Sequence, residues 1–460
     1  MDFTYAYVKK RGFGMKRVFL IVLVVALLMG AVTSHSLFYA QAATQNVGDV
    51  NGDGQVNNRD MGYLQKLLNG WDVAVAANGD VNGDGKVNNR DMAELQKMVN
   101  GGEKQTKAVA TKYVSLGTPS AEHYPSSRLA RCAWDMTIHD GRLYVGCGDY
   151  SNNTGASPIL SCSLDDLGNW KVEAVIDEEQ VGRFNDINGV LTIPGYDPLG
   201  SPKYSCYYEL MGGQWKQHVA FPYGLHTFDV VWFQGRIYGA IGADRGGYPI
   251  AYTEDGVNYQ TMTMYKNGKP LDTNHSDMIR CSNLYVLGNE LYADFWYEDE
   301  QLARSIFEMY RYNAETDCFE YIADLKSATH GGLYSAAGLP LWEKVAVNDK
   351  MFLTTGYMYY TTDFTKYTQV KMPNDAIVYD MAKYSGRLYI LTAYETNGQY
   401  QVTIYSTTSS NPSNLRTEAT YTYKLMPTAF AVDGDNFFVG MGNWYKTGAS
   451  GNGVILQIAR

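Results

Sequence analysis

Three patterns of hydrophobic and polar residues divide this chain. Near its start, Val18-Phe-Leu-Ile-Val-Leu-Val-Val-Ala-Leu-Leu-Met29 is an unbroken apolar run behind the basic Met15-Lys16-Arg17. Between residues 47 and 101, apolar residues recur every three or four positions in two short segments. These are Leu64, Leu67 and Leu68, then Leu95, Met98 and Val99, and the spacing predicts two amphipathic helices able to pack on each other. From Thr111 to Arg460 the helical spacing gives way to short alternating runs rich in tyrosine, glycine and β-branched residues, which predicts an all-β domain.

Within that β region one phrase recurs: an apolar strand, a Gly or Asn turn, then a second apolar strand. It is clearest in Asp135-Met-Thr-Ile-His-Asp-Gly-Arg-Leu-Tyr-Val-Gly146, Asp229-Val-Val-Trp-Phe-Gln-Gly-Arg-Ile-Tyr-Gly239 and Asp380-Met-Ala-Lys-Tyr-Ser-Gly-Arg-Leu-Tyr-Ile390. Weaker copies put the turns near Gly141, Asn188, Gly235, Asn289, Asn348, Gly386 and Gly434, spaced 38 to 59 residues apart. Repeats of that size, with four strands each, are the mark of a β-propeller. The expectation is an all-β seven-bladed propeller over residues 112–460, six or eight blades being alternatives and a pair of stacked sheets the competing architecture. One leftover strand, Gly453-Val-Ile-Leu-Gln-Ile458, can pair with Lys112-Tyr-Val-Ser-Leu116, closing the ring with both ends of the domain in one blade.

Ahead of each predicted helix stands a 12-residue loop: Asp49-Val-Asn-Gly-Asp-Gly-Gln-Val-Asn-Asn-Arg-Asp60 and Asp80-Val-Asn-Gly-Asp-Gly-Lys-Val-Asn-Asn-Arg-Asp91. Each carries carboxylate or amide oxygens at positions 1, 3, 5, 9 and 12, a glycine at 6 and a backbone carbonyl at 7. That set suits Ca²⁺, a hard cation that takes six to eight oxygens, with the glycine permitting the sharp turn. An EF-hand would have an entry helix and Glu at position 12; here Gly48 and Gly79 directly precede the loops, and position 12 is Asp.

This duplicated loop and helix, over residues 47–101, resembles the type I dockerin, the module by which secreted enzymes of anaerobic bacteria attach to cohesin domains of a scaffolding protein. The resemblance implies two Ca²⁺ ions. Their ligands fall on Asp49, Asn51, Asp53, the Gln55 carbonyl, Asn57 and Asp60, and on Asp80, Asn82, Asp84, the Lys86 carbonyl, Asn88 and Asp91. It also implies cohesin contacts at Asn58, Arg59, Gln65 and Lys66 and at the repeated Asn89, Arg90, Gln96 and Lys97. Because both copies carry the same residues, a partner could engage either face after a half-turn of the module. The Asn-Arg pair departs from the small hydroxylic pair common in the family.

The apolar run near the start, short for a membrane span, reads with Ala40-Gln41-Ala42 as a secretory signal over residues 1–42. An uncleaved anchor is the alternative. Its removal takes away five basic residues and one acidic residue, so the net charge moves from −10 to −14. An acidic mature chain without a basic run is a poor nucleic-acid binder. Residues 102–111 are small and polar, as expected of a linker. The six cysteines lack Cys-x-x-Cys spacing, which argues against zinc and leaves disulfides or buried thiols open.

Chemistry on the propeller is less legible. Ser163–Trp170, Thr253–Tyr259 and Thr361–Tyr367 are similar to the Asp-box turn of sialidases, in which the Asp bonds the turn backbone; they are read as structural. Polar residues just before each innermost strand should face the central channel: Arg131, Trp134 and Asp135; Arg183, Asn185 and Asp186; His226 and Asp229; His275, Asp277 and Arg280; His330 and Tyr334; Glu343; Tyr379 and Asp380. Of these, Arg183, His226, Asp229, Arg280 and His330 are the candidates for one ligand pocket. Paired carboxylates could serve glycoside cleavage, His with Tyr could abstract a proton, and arginines could hold an acidic sugar. Against this, Asp at one offset in several blades is also what a repeated strand-start feature looks like. The sequence therefore points to a secreted, cohesin-binding subunit of an extracellular polysaccharide-degrading assembly, its propeller acting on or binding glycans. A non-catalytic propeller binding protein or glycan is the alternative.

Overall fold

The computed structural model describes residues 48–51, 56, 58–70, 79–81, 86–100, 111–149, 154–200, 204–222, 224–244, 247–272, 278–299, 304–325, 343–443 and 452–460. They fall in two compact units, one within residues 1–107 and the other within 108–460. The apolar run of residues 18–29, its cleavage site and the linker lie outside the described residues. Among the described residues, no helix is long and apolar enough to cross a membrane.

The first unit contains α1 (Asn58–Leu68) and α2 (Asn89–Asn100). Each begins within its loop and carries the position-12 aspartate in its first turn, where a carboxylate complements the positive end of the helix dipole. The buried core is small, Val50, Leu64 and Leu95, with Val56, Met61, Leu67, Leu68, Val81 and Met92 packed around it.

The second unit is an all-β propeller. Five four-stranded sheets stand as separate blades, with innermost strands Asp135–His139, Asn185–Ile187, Glu343–Val347, Ile377–Tyr384 and Met426–Val432. Residues 224–324 form one ten-stranded sheet instead of two separate ones. Five separate four-stranded blades therefore stand where seven were expected, for a physical reason. Strand Arg236–Asp244 runs on past its own hairpin and pairs with Met278–Leu287, Gly242 opposite Arg280 and Ala243 opposite Ile279, which fuses the sheets. Closure follows the sequence reading: Tyr113–Ser115 pairs antiparallel with Val454–Ala459, Val114 opposite Gln457.

Tight turns after the inner strands set the repeat. Asp140-Gly141, Gln234-Gly235 and Ser385-Gly386 all have positive φ at both residues, the conformation whose twist matches that of flanking strands and which glycine adopts without strain. Apolar clusters between adjacent sheets hold the blades together, such as Tyr389, Leu391, Phe430, Phe437 and Leu456. All six cysteines are buried free thiols.

Candidate functional site

In the first unit the loops close onto their last ligand. The Asn51 N–H donates to Asp60 Oδ1 (3.1 Å), and in the second copy the Asn88 N–H donates to Asp91 Oδ2 (2.8 Å). Asp49, Asp60 and Asp91 are nearly or fully buried, at 2%, 0% and 0% exposure. Buried carboxylate oxygens at loop positions 1 and 12 suit a cation that takes several oxygen ligands. All proposed donors are hard oxygens, so the residues fit Ca²⁺. Asp53, Gln55, Asn57, Asn82 and Asp84 lie outside the described residues. Arg59, Gln65, Lys66, Asn89, Arg90 and Gln96 are exposed, as a docking face requires.

On the propeller, the residue five positions before the inner-strand turn is Asp135, Arg183, Asp229, Asn283, Glu343, Asp380 or Thr428 in successive repeats. One side of this series is closed by charge pairing. Arg183 Nη1 lies 3.4 Å from Asp229 Oδ1 and donates to Asn283 Oδ1 at 2.9 Å. Asn185 Nδ2 donates to Asp229 Oδ1 (2.9 Å), the Leu284 N–H donates to Asp229 Oδ2 (2.8 Å), and the Lys344 ammonium binds both Asp229 Oδ2 and the Leu284 carbonyl. Burial alone would push the Asp229 carboxyl up; the Lys344 and Arg183 cations outweigh it and hold the pKa below the usual value.

The other side is a cavity of about 230 Å³ lined by Asp135, Glu343, Asp380, Phe184, Phe430 and Lys383, among others. Here nothing neutralises the acids fully. Burial, with the mutual repulsion of Glu343, Asp135 and Asp380, raises Asp135 and Asp380; burial also raises Glu343, against the pull of Arg183. Such carboxyls keep protons to higher pH than free ones and could hand them to a ligand.

The strand-start aspartates also have a structural task. Asp135 accepts from the Phe184 N–H (2.6 Å) and Asp229 from the Leu284 N–H (2.8 Å), and Asp380 is bonded by the Phe430 backbone N–H. In each case the donor lies in, or directly before, the next inner strand, so these carboxylates stitch neighbouring repeats.

The remaining pocket candidates sit a few residues upstream. His226 Nδ1 lies 3.0 Å from the Tyr196 carbonyl and 3.3 Å from Asp197 Oδ1, and its ring stacks on Phe228. The Arg280 guanidinium lies between Phe228 and Trp296, 5.4 and 5.3 Å from their centroids. Arg183 thus meets Asp229 directly, while His226 and Arg280 both pack on Phe228. His330, with Tyr334, His275 and Asp277, lies outside the described residues. Asp186 instead caps its hairpin through the Gly189 N–H (2.7 Å), and Arg131 binds the Tyr124 and Pro125 carbonyls.

Sequence reasoning passed over Lys344, Asn283, Asp197, Phe228 and Trp296. Two of them carried a signal: Asn283 stands at the repeated offset, and Lys344 is a lysine at the head of the otherwise apolar Val345-Ala-Val347.

It also passed over Glu178, which is fully buried. Its carboxyl accepts from Cys206 Sγ (3.0 Å), the Tyr208 hydroxyl (3.3 Å) and the Asp197 N–H (3.0 Å). Burial pushes its pKa up to about 7, against those hydrogen bonds. Between the unfolded value near 4.5 and about 7 the native state holds the extra proton. Stability from this group is therefore full below pH 4.5 and lost as pH rises through 7. We expect Glu178→Gln to remove roughly 3 kcal/mol of that fall, measured as unfolding free energies at pH 4.5 and 8. An unchanged difference between the two pH values would show that Glu178 is not protonated natively.

Two of the three Asp-box turns bond their own backbone through the aspartate. Asp255 Oδ1 accepts from the Val257 and Asn258 N–H groups (2.8 and 2.7 Å), and Asp363 Oδ1 from those of Thr365 and Lys366 (2.8 and 3.2 Å).

No curated protein matches the chain. Solved structures are similar over much of the chain at low identity. The β-propeller domain of the trilobed protease from Pyrococcus furiosus is 9% identical, with a TM-score of 0.41 over 72% of this chain and 94% of that one. The GH93 α-L-arabinofuranosidase of Fusarium graminearum is 13% identical, with a TM-score of 0.36 over 76% and 97%. Pyrococcus horikoshii acylaminoacyl peptidase is 11% identical, with a TM-score of 0.40 over 72% of this chain, which spans 52% of the peptidase. Residues 47–100 match the family model of the dockerin type I domain. The chain therefore carries a type I dockerin domain at residues 47–100, ahead of a C-terminal part built as a β-propeller.

Proposed function

We propose that this protein is a secreted subunit that docks through its dockerin onto a cohesin domain of a scaffolding protein, in a cellulosome-like polysaccharide-degrading complex. The observation that carries this reading is the duplicated loop and helix matched by the dockerin family over residues 47–100. Two Ca²⁺ ions, one per loop, hold the module, and residues 1–42 act as the export signal. We count the ten-stranded sheet as two blades, since Gly224–Thr261 and Met278–Asp324 each contain a four-stranded meander, so that seven blades close the ring over residues 112–460.

Cohesin contacts are Asn58, Arg59, Gln65 and Lys66 on one face and Asn89, Arg90, Gln96 and Lys97 on the other. Replacing Asn58 and Arg59 by alanine should change affinity less than about threefold, because the second copy substitutes. Replacing Asn89 and Arg90 as well should abolish binding. Calorimetry against a scaffoldin cohesin decides; a large loss from the first pair alone would mean that the copies are not equivalent.

The propeller's part is to present glycan to, or act on it within, that complex, at the channel mouth of Arg183, His226, Asp229 and Arg280, with His330 the fifth candidate. Aromatic faces beside Arg280 and a histidine held by Asp197 suit a hydroxyl-rich or acidic saccharide. The non-catalytic reading is favoured by one observation: Asp229 already accepts from Asn185, Leu284 and Lys344, which leaves it little freedom to serve as acid or base. Product analysis on a glycan panel separates a binding propeller from an enzyme.

A further inference from the structure

Away from the channel, one hairpin interrupts the repeat. Met264–Lys266 and Lys269–Pro270 pair with each other, and the first of them lies parallel against the outermost strand Cys318–Asp324, Met264 opposite Phe319 and Tyr265 opposite Glu320. The junction is tied by the Phe319 N–H to the Thr263 carbonyl (3.0 Å) and the Leu271 N–H to the Met264 carbonyl (2.8 Å). The hairpin builds an open groove of about 530 Å³ lined by Tyr265, Tyr321, Asn267, Thr316 and Glu320.

Its chemistry is specific. Two half-buried tyrosines supply flat apolar faces, while an amide, a hydroxyl and a carboxylate supply donors and acceptors around them, the mixture that orients a small ligand in a pocket of this size. Tyr321 is fixed in advance: its hydroxyl donates to Asp324 (2.9 Å), its ring packs edge-on to Tyr310, and the Lys266 ammonium sits 4.8 Å from its centroid. Lys266 is itself bound to the buried Glu308, and among the described residues lining the groove the one charged side chain is Glu320. An anionic ligand would therefore meet the Glu320 carboxylate, while the Lys266 ammonium beside Tyr321 is already paired with Glu308. An extended peptide has no strand to extend here, since the outer strand is two residues long and ends in Pro270, which has no N–H to donate.

We infer that this groove is a saccharide-binding site, distinct from the channel, that takes a short neutral oligosaccharide through its C–H faces on Tyr265 and its hydroxyls on Asn267, Thr316 and Glu320. The full chain with Ca²⁺ is titrated calorimetrically with cellopentaose, xylopentaose and mannopentaose, and with pentagalacturonate as the acidic comparison. At least one neutral pentasaccharide binds. Tyr265→Ala weakens it about tenfold, equivalent to about 1.4 kcal/mol, while Tyr265→Phe keeps it within about threefold because the stacking face persists. If Tyr265→Ala fails to fold, Glu320→Ala, an exposed side chain, carries the same expected loss. The same loss is expected in an Arg280→Ala background, so failure of the channel reading leaves this result standing. Absence of binding by all three neutral sugars, preference for pentagalacturonate, or an affinity indifferent to both Tyr265→Ala and Glu320→Ala overturns the assignment.

Discussion

Chelating calcium from the whole protein should erase the helical part of its far-ultraviolet circular dichroism and abolish cohesin binding, while the β signal of the propeller persists. The physical argument starts from length. α1 and α2 have 11 and 12 residues, at or below the length at which isolated helices are marginal in water. Among the described residues of the module the fully enclosed apolar side chains are Val50, Leu64 and Leu95, a small set against the entropy of ordering it. Meanwhile Asp49, Asp60 and Asp91 are buried together with their charges. As Ca²⁺ ligands they would be neutralised in place; without the cation their burial costs desolvation, so cation binding and folding are expected to be one equilibrium. The measurement is a chelator titration followed at 222 nm, with calorimetry against cohesin at both ends. Helicity that survives excess chelator would show that the apolar contacts suffice and that the cation tunes docking only.

The dockerin was legible because its signal is local and duplicated: ligand positions, the glycine and the helix all lie within one short window, twice. The propeller was legible at the level of its turns. Gly141, Gly235 and Gly386 had to be glycines or near-equivalents because a two-residue hairpin needs positive φ there, and their spacing carries the repeat. What sequence could not show depends on distant partners. The fusion of residues 224–324 into one sheet rests on three cross-strand pairs, Gly242, Ala243 and Asp244 against Arg280, Ile279 and Met278, none of which differs in residue type from pairs that do not form. Glu178 looks like any acidic loop residue until Cys206 and Tyr208 fold over it. The aspartates at one offset were visible, but whether Asp229 is a ligand group or a stitch depends on Lys344, 115 residues away.

That pair gives the largest effect expected in the propeller. Asp229 is fully buried and its carboxylate is held by Lys344, Arg183, Asn185 and two backbone N–H groups, those of Val230 and Leu284. Lys344→Met keeps an unbranched apolar stem and removes the terminal ammonium with its charge and its donors. It strands a buried carboxylate and leaves the Leu284 carbonyl without its ammonium donor, a change that costs about 3–5 kcal/mol when one partner of a buried pair is deleted. Arg183, 3.4 Å away, compensates in part, so the lower end is expected. The double variant Lys344→Met with Asp229→Asn should recover more than half of the loss, because the amide keeps the shape and carries no charge to strand. Lowering the pH should also shrink the cost of Lys344→Met, since without its ammonium Asp229 loses the largest influence holding its pKa down and protonates more readily, while the wild-type carboxylate stays ionised. Urea unfolding of the three proteins at pH 7 and pH 5 provides the test. A loss under about 1 kcal/mol, or a double variant no more stable than Lys344→Met, would mean that the axis of the propeller is held by packing between blades and that the Asp229 cluster is free to serve a ligand.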